Sequence, residues 1–164
     1  MSGKRKALCA VLTLLTAALL LWIFSNSLKN SQESASQSGT VREWIQTILD
    51  ALFSGSVVIS SHAVRKLAHF SEYALLGAML LFTWRAYTAE RKRLLFPALV
   101  AVLAPFLDEG LQFFSEGRAP MLSDVGIDLL GCAAGFLFAW VVLALASACR
   151  KHKRDKRERG GSDV

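Results

Sequence analysis

Long apolar stretches dominate the chain and are separated by short polar segments. They cover residues 7–24, 61–84, 94–115 and 125–149. Each is about 18–25 residues long, and a helix needs about 20 apolar residues to cross the hydrocarbon layer of a bilayer. The pattern predicts an all-α integral membrane protein built on a four-helix transmembrane bundle. The first stretch could instead be a signal peptide, although it is long for that role and no clear cleavage site follows it.

The connection between the first two stretches contains a different pattern. Residues 25–40 are rich in Ser, Gln and Asn and are predicted to be loosely ordered. From Val41 to Phe53, apolar residues recur with the spacing of one helix face. This amphipathic helix is too short to span a bilayer. It is predicted either to lie in the outer membrane interface, with Trp44 as an anchor, or to cap the bundle.

Composition excludes the main alternatives to a membrane protein. Hydrophobic residues make up 53% of the 164 positions, against about 45–50% in ordinary soluble domains. A domain of this size could not bury so much apolar surface in one core. Cys9, Cys132 and Cys149 all lie within apolar stretches, which excludes a secreted disulfide framework.

The distribution of Lys and Arg predicts the orientation of the chain. The N-terminus, the segment 85–93 and the tail from Arg150 hold 14 of the 19 basic residues, and four spans would bring them to one side. Because basic connections stay in the cytoplasm, both termini are predicted to be cytoplasmic. The basic tail, residues 150–164, could bind anionic lipid, although a solvated topology determinant is the simpler interpretation. No fold signal supports binding to nucleic acid.

Polar residues, most of them ionisable, interrupt the later stretches near the predicted outer side. They are Arg65, Lys66, His69, Glu72 and Tyr73 in the second stretch, Asp108, Glu109 and Gln112 in the third, and Asp124 and Asp128 in the fourth. Alternating helix directions bring these positions into one layer. Charges inside a bilayer cost about 2.5–3.5 kcal/mol each on insertion scales, so the cluster needs mutual pairing, water or a ligand. Arg118 lies at the mouth of this layer, where its guanidinium suits a carboxylate or a phosphate.

This layer predicts a ligand or reaction site, against the alternative that it only locks the helices together. The candidate catalytic residues are His69, Glu72, Asp108 and Glu109, with His69 as general acid or base. The candidate ligand-binding residues are Arg65, Tyr73, Gln112, Arg118, Asp124 and Asp128. The four catalytic candidates could also hold a divalent metal, but a single certain His among acids is a loose metal signature. No residue is therefore assigned to a metal, and the sequence identifies neither a cofactor nor an oligomeric state.

Two further positions bear on helix packing. Pro105 precedes Asp108 by one turn and predicts either a kink that widens a cavity beside the acids or a harmless bend. Gly131 and Gly135 form a GxxxG motif, which predicts close approach of another helix to the fourth stretch.

The order of these residues resembles the VanZ-like family of bacterial membrane proteins. The matching segments are RKLAHF from Arg65, EY from Glu72, LLG from Leu75, DE from Asp108, Gln112, GR from Gly117, and then Asp124, Asp128, Gly131 and Gly135. The combined pattern spans about residues 61–139. It implies a single VanZ-like membrane domain over residues 1–164, in a multi-pass protein of the bacterial plasma membrane. Asp128 stands where many relatives carry Asn.

The resemblance also implies a role in the cell envelope, because the namesake of the family is associated with lowered susceptibility to the glycopeptide teicoplanin. One hypothesis is a protein that binds or modifies an anionic envelope lipid, a cell-wall precursor or a glycopeptide antibiotic, held by Arg65 and Arg118. A second is a membrane hydrolase or transferase that uses His69 and the acids. An ion-coupled carrier and a purely structural polar network are the remaining alternatives.

Overall fold

The computed structural model describes residues 2–88, 94–118 and 121–160, and over these ranges the regular structure is entirely helical. The helices are α1 (Gly3–Ser27), α2 (Ser31–Phe53), α3 (Ser61–Tyr87), α4 (Leu95–Gln112) and α5 (Leu122–Gly160). Of these described helices, α1, α4 and α5 contain windows long and apolar enough to cross a membrane. The all-α class and the membrane location predicted from the sequence are therefore confirmed.

Helix α3 differs from the other predicted spans because of its charged N-terminal half. Its 27 residues give it a length of about 40 Å, which exceeds the thickness of the hydrocarbon layer. Arg65, Lys66 and Glu72 interrupt its apolar surface, and α3 is not among the described helices that qualify as spans by composition. A four-helix transmembrane bundle therefore stays a prediction.

The first polar connection is more ordered than its composition indicates. Residues 31–40, which were expected to be loosely ordered, form the first turns of α2. Asn30 caps this helix, because its side chain accepts a hydrogen bond from the backbone N–H of Glu33. The N–H of Ser31 donates to the carbonyl of Glu116. The expectation of a loose segment is wrong because this cap and this tertiary contact outweigh the low helix propensity of Ser and Gly.

The second half of α2 carries the apolar stripe noted in the sequence. Its large side chains remain largely outside the protein core, and Trp44 is 74% exposed. The stripe is thus helical and available to lipid or to another surface, while its position in the membrane interface stays a prediction.

Most other helix ends differ from the ends of the predicted apolar stretches by a few residues. The end of the last helix differs by more. Helix α4 ends at Gln112, so residues 113–115 form turns instead of extending the third apolar stretch. Helix α5 continues through the basic segment to Gly160. Residues 89–93 of the basic connection, residues 119–120 after Arg118 and residues 161–164 of the tail lie outside the described residues.

The most extensive helix contact joins α3 to α5. Small residues make it close, because a Cβ at Gly135 would overlap the backbone carbonyl of Ala74. In the opposite direction, a Cβ at Gly77 would overlap the carbonyl of Cys132. The GxxxG spacing of α5 therefore serves helix packing, as the sequence predicts.

Alternating chain direction gathers the polar helix ends on one side of the bundle. At one end, Arg5 of α1 donates hydrogen bonds to the carbonyls of Ala86 and Tyr87, where α3 finishes. At the other end, the Ser115 hydroxyl donates to the carbonyl of Ser27 at 2.8 Å, which ties the turn after α4 to the end of α1. The N-terminal halves of α3 and α5 lie at this second end, together with their ionisable residues.

Replacing Gly135 with Ala is expected to destabilise the protein by about 1–3 kcal/mol, because the new methyl group overlaps the backbone of α3. Gly126→Ala in the same helix is the matched control, since a Cβ there meets no atom within 4 Å. Thermal unfolding in detergent should show a lower midpoint for Gly135→Ala alone. Equal midpoints for the two variants would contradict the close α3–α5 contact.

Candidate functional site

Three ionisable side chains from three helices form a largely buried cluster at the polar end of the bundle. They are His69 of α3, Asp108 of α4 and Asp128 of α5, and one potential ligand atom of each lies within 4.8 Å of the others. The distance from His69 Nδ1 to Asp128 Oδ1 is 3.4 Å, which is longer than the roughly 2.7–3.2 Å of an N–H···O hydrogen bond. This pair is therefore a close electrostatic contact and not a directed hydrogen bond.

The two aspartates of this cluster are fully buried and only partly satisfied by the protein. The Ser27 hydroxyl donates to Asp108 Oδ1 at 2.6 Å. Asp108 Oδ2 and both carboxylate oxygens of Asp128 have no hydrogen-bond partner among the described residues. A buried acceptor without a partner costs about 1–3 kcal/mol, and more when it is charged. The cluster consequently favours a bound cation or proton.

Glu109 and Gln112 stabilise the turn between α4 and α5. Gln112 Nε2 donates to Glu109 Oε2 at 3.0 Å. The other carboxylate oxygen of Glu109 accepts the backbone N–H of Met121, the residue before α5 begins. These contacts give Glu109 a structural role at the start of α5, and its catalytic role stays a prediction.

Glu72 lies one helical turn beyond His69 and contacts the end of α1. Asn26 Nδ2 donates to Glu72 Oε1 at 3.3 Å. Lys29 Nζ in turn donates to Asn26 Oδ1 at 2.7 Å and to Gln37 Oε1 at 3.3 Å. A chain of polar contacts thus runs from α2 through the end of α1 to α3.

Two adjoining cavities open beside the buried cluster. The larger, about 540 Å³, lies between α1, α2, α3 and the turn after α4. Its polar wall includes Asn26, Ser27, Lys29, Arg65, His69, Glu72 and Arg118. The smaller, about 210 Å³, is lined by Arg65, His69, Gln112, Arg118 and Asp124, among others. Because Arg65, His69 and Arg118 line both cavities, a ligand in either cavity would meet the same two cations and the same imidazole.

Arg65 and Arg118 keep part of their hydrogen-bonding capacity unused. The Nε of each is buried and has no hydrogen-bond partner in the described parts of the chain. Burial and the nearby charge of Arg65 lower the pKa of Arg118 from its ordinary value. Two like charges that face one cavity are stabilised when an anion binds between them.

Most of the site residues predicted from the sequence come together. The cavities or the buried cluster include Arg65, His69, Glu72, Asp108, Gln112, Arg118, Asp124 and Asp128. Tyr73 is fully buried, and its hydroxyl donates to the carbonyl of Ala104 at 3.3 Å. Its described contact is thus with α4, and a ligand-binding role for Tyr73 stays a prediction.

Sequence reasoning missed the contributions of α1 and α2 to this site. Asn26, Ser27 and Lys29 were counted only as part of a polar connection, yet Ser27 contacts the buried Asp108. A signal for them is present in the sequence, because they directly follow the apolar stretch at its predicted outer end. In the predicted topology, that position has the same depth in the membrane as the ionisable residues of the other helices.

Comparison with known proteins agrees with the motif. A protein-family model described as VanZ/LLP1 matches residues 11–144. The chain belongs to the VanZ/LLP1 family. The match begins within α1 and therefore includes the Asn26–Ser27 segment as well as the motif residues of α3, α4 and α5. No curated protein and no solved structure shows significant similarity to the chain.

In this VanZ-family protein, Ser27→Ala is expected to lower the free energy of unfolding by about 1–3 kcal/mol, because it leaves Asp108 Oδ1 without its hydroxyl donor. Ser25→Ala is the control, since the Ser25 hydroxyl bonds to the Trp22 carbonyl at an exposed position. Its effect should stay within about 0.5 kcal/mol. Chemical denaturation in detergent measures both, and equal effects would argue against the Ser27–Asp108 contact.

Proposed function

We propose that this VanZ-family protein binds the phosphate-containing headgroup of an anionic envelope lipid or lipid-linked cell-wall precursor at the outer leaflet of the bacterial plasma membrane. The observation that carries the proposal is the pair Arg65 and Arg118, which line both cavities with a buried and unpartnered Nε. A guanidinium presents two parallel donors that match the oxygens of a phosphate. An anion between the two arginines also relieves their mutual repulsion.

The larger cavity has the mixed character that an amphiphile requires. Its volume of about 540 Å³ falls within the roughly 300–1,000 Å³ typical of small-molecule sites. Trp22, Val41 and Val64 contribute apolar surface to its wall, in addition to the basic and amide side chains. Trp22 is 52% exposed on α1, which supports access from the lipid side. A headgroup and the first part of its attached chain would therefore both find matching surfaces.

The proposed membrane arrangement has four spans, formed by α1, α3, α4 and α5, with α2 lying in the outer interface. Both termini are cytoplasmic, in a single domain whose basic tail follows α5. The contacts of Arg5 with Ala86 and Tyr87 support a common side for the N-terminus and the end of α3. The basic residues concentrated at these segments favour the cytoplasmic side.

A second candidate is a hydrolase or transferase that acts on the same headgroup. It is favoured by His69, which lines both cavities and contacts Asp128. An imidazole beside a carboxylate is a common general acid or base. Formation of a product by the purified protein would distinguish this reaction from binding alone.

Arg118→Gln is expected to weaken binding of a short-chain phosphatidylglycerol about 10–100-fold, because it removes a charge-assisted hydrogen bond worth about 1.5–3 kcal/mol. Native mass spectrometry of the detergent-purified protein can measure this affinity. Phosphatidylcholine of the same chain length should bind weakly to both proteins, because its headgroup is neutral overall.

Arg42→Gln is the matched charge control for this experiment. Arg42 belongs to α2 and is not among the residues that line either cavity, so its variant should bind phosphatidylglycerol like the wild type. Equal affinities of wild type and Arg118→Gln would contradict the proposal. Undecaprenyl phosphate and a lipoglycopeptide antibiotic are compared in the same assay, and preference for the antibiotic would move the function to drug binding.

The orientation is tested by cysteine labelling in intact cells, on a background in which Cys9, Cys132 and Cys149 are replaced. Ser56→Cys, in the exposed connection between α2 and α3, should react with a membrane-impermeant maleimide. Lys153→Cys, at an exposed position near the end of α5, should react only after the membrane is permeabilised. The reverse result would invert the topology and put the cavities on the cytoplasmic side.

A further inference from the structure

The buried His69–Asp108–Asp128 cluster has nearly the dimensions of a metal coordination shell. One nitrogen and two carboxylate oxygens, from three helices, lie within 4.8 Å of one another. Ligands bound to one ion at about 2.0–2.2 Å lie at most about 4.4 Å apart, so a small rotation of these side chains brings them into range. We infer that these three residues bind a divalent transition-metal ion.

The unsatisfied atoms of the cluster indicate a ligand beyond the protein's own contacts. Asp108 and Asp128 are 0% exposed. Asp108 Oδ2, both oxygens of Asp128 and His69 Nδ1 have no hydrogen-bond partner among the described residues. These atoms are the lone-pair donors that a metal ion uses. A network that served only to hold helices together would have matched them with hydrogen-bond donors.

The charge of the cluster also favours a divalent cation. With a neutral imidazole, the two carboxylates carry a net charge of −2 in a buried region, and one divalent ion balances it. Among the described residues, Asp128 forms an ion pair with His69. A protonated His69 would balance only one of the two carboxylates.

The residues differ from the set that the sequence suggested as an alternative metal site. Glu72 and Glu109 were included there, but Glu72 is held by Asn26 and Glu109 by the backbone of Met121. Asp128 completes the cluster instead, because the close packing of α5 on α3 brings it next to His69.

The types of ligand atom limit which metal ion this site would prefer. One imidazole with two carboxylates suits Zn²⁺ or Mn²⁺ better than Mg²⁺ or Ca²⁺, which prefer oxygen ligands alone. Three protein ligands leave at least one coordination position for water or a ligand oxygen. His69 lines both cavities, so one ligand of this site lies at their wall. If a headgroup binds as proposed above, its phosphate oxygen can occupy the open position, but binding of the ion does not depend on the headgroup.

The test measures metal binding directly and without lipid substrate. Protein purified without a polyhistidine tag is stripped with a chelator, dialysed against Zn²⁺ or Mn²⁺, and analysed by inductively coupled plasma mass spectrometry. The wild type should retain about one ion per chain. Loss of a hydrogen-bond partner of a metal ligand weakens metal binding roughly 10–100-fold. Asp128→Asn and Asp108→Asn each change a ligand itself, so each should weaken metal binding by more than that.

Asp50→Asn is the matched control, because Asp50 is an exposed aspartate of α2 that lines neither cavity and lies outside the cluster. It should bind metal like the wild type, and an equal loss in this variant would show that binding comes from general surface acidity. Equal metal content in wild type and Asp128→Asn would overturn the proposal. The two proposals fail separately, because the metal assay contains no anionic lipid and the lipid assay can be run on stripped protein.

X-ray absorption on the metal-loaded wild type keeps the proposal testable if the variants fold poorly. The expected spectrum has nitrogen and oxygen neighbours with the multiple-scattering signature of one imidazole. A sulfur neighbour would assign the ion to a cysteine such as Cys132, and a shell without imidazole would assign it to another site. Either result would overturn the inference.

Discussion

The burial of two carboxylates at one end of an apolar bundle is the constraint on which the rest of the structure depends. Asp108 and Asp128 are fully buried, although a charge inside a bilayer costs about 2.5–3.5 kcal/mol even on insertion scales. The Ser27 hydroxyl of α1 donates a hydrogen bond to Asp108. His69 of α3 contacts Asp128. Helices α1 and α3, which both contribute to the core, therefore also contribute to the stabilisation of these acids.

Close packing of α3 against α5 determines the geometry of this polar end. A Cβ at Gly131 would press on the carbonyl of Phe70, and one at Gly135 would overlap that of Ala74. Phe70 follows His69 directly, and Asp128 precedes Gly131 by about one turn. The same small residues that allow the helices to touch therefore hold the imidazole 3.4 Å from the carboxylate. A larger residue at Gly131 or Gly135 would therefore alter the geometry of the site as well as the stability of the protein.

The sequence was sufficient to predict the helical class and the convergence of α3, α4 and α5, because apolar length and the position of charges along each helix are strong signals in a membrane protein. It could not predict the helix formed by residues 31–40, because this depends on the Asn30 cap and on the contact between Ser31 and Glu116. The role of Ser27 was missed for a related reason. Its place at the outer end of the first apolar stretch was a signal, but the sequence alone does not show that the packing of α1 beside α4 gives it a buried partner.

The arrangement of charges argues for a site over a structural lock. A network that only joined helices would pair its arginines with its buried acids, since paired charges lose least on burial. Here Arg65 and Arg118 lie at the cavities with an unpartnered Nε each, while Asp108 and Asp128 lie deeper with unpartnered oxygens. The two arginines thus line the cavities and the two buried aspartates do not, while His69 lines the cavities and also contacts Asp128. Such a separation stabilises the protein less than pairing would, and it leaves unpartnered donors on the arginines and unpartnered acceptors on the aspartates, which the proposed anion and cation would satisfy. A ligand that carries a phosphate, with a metal ion beneath it, would satisfy both groups at once.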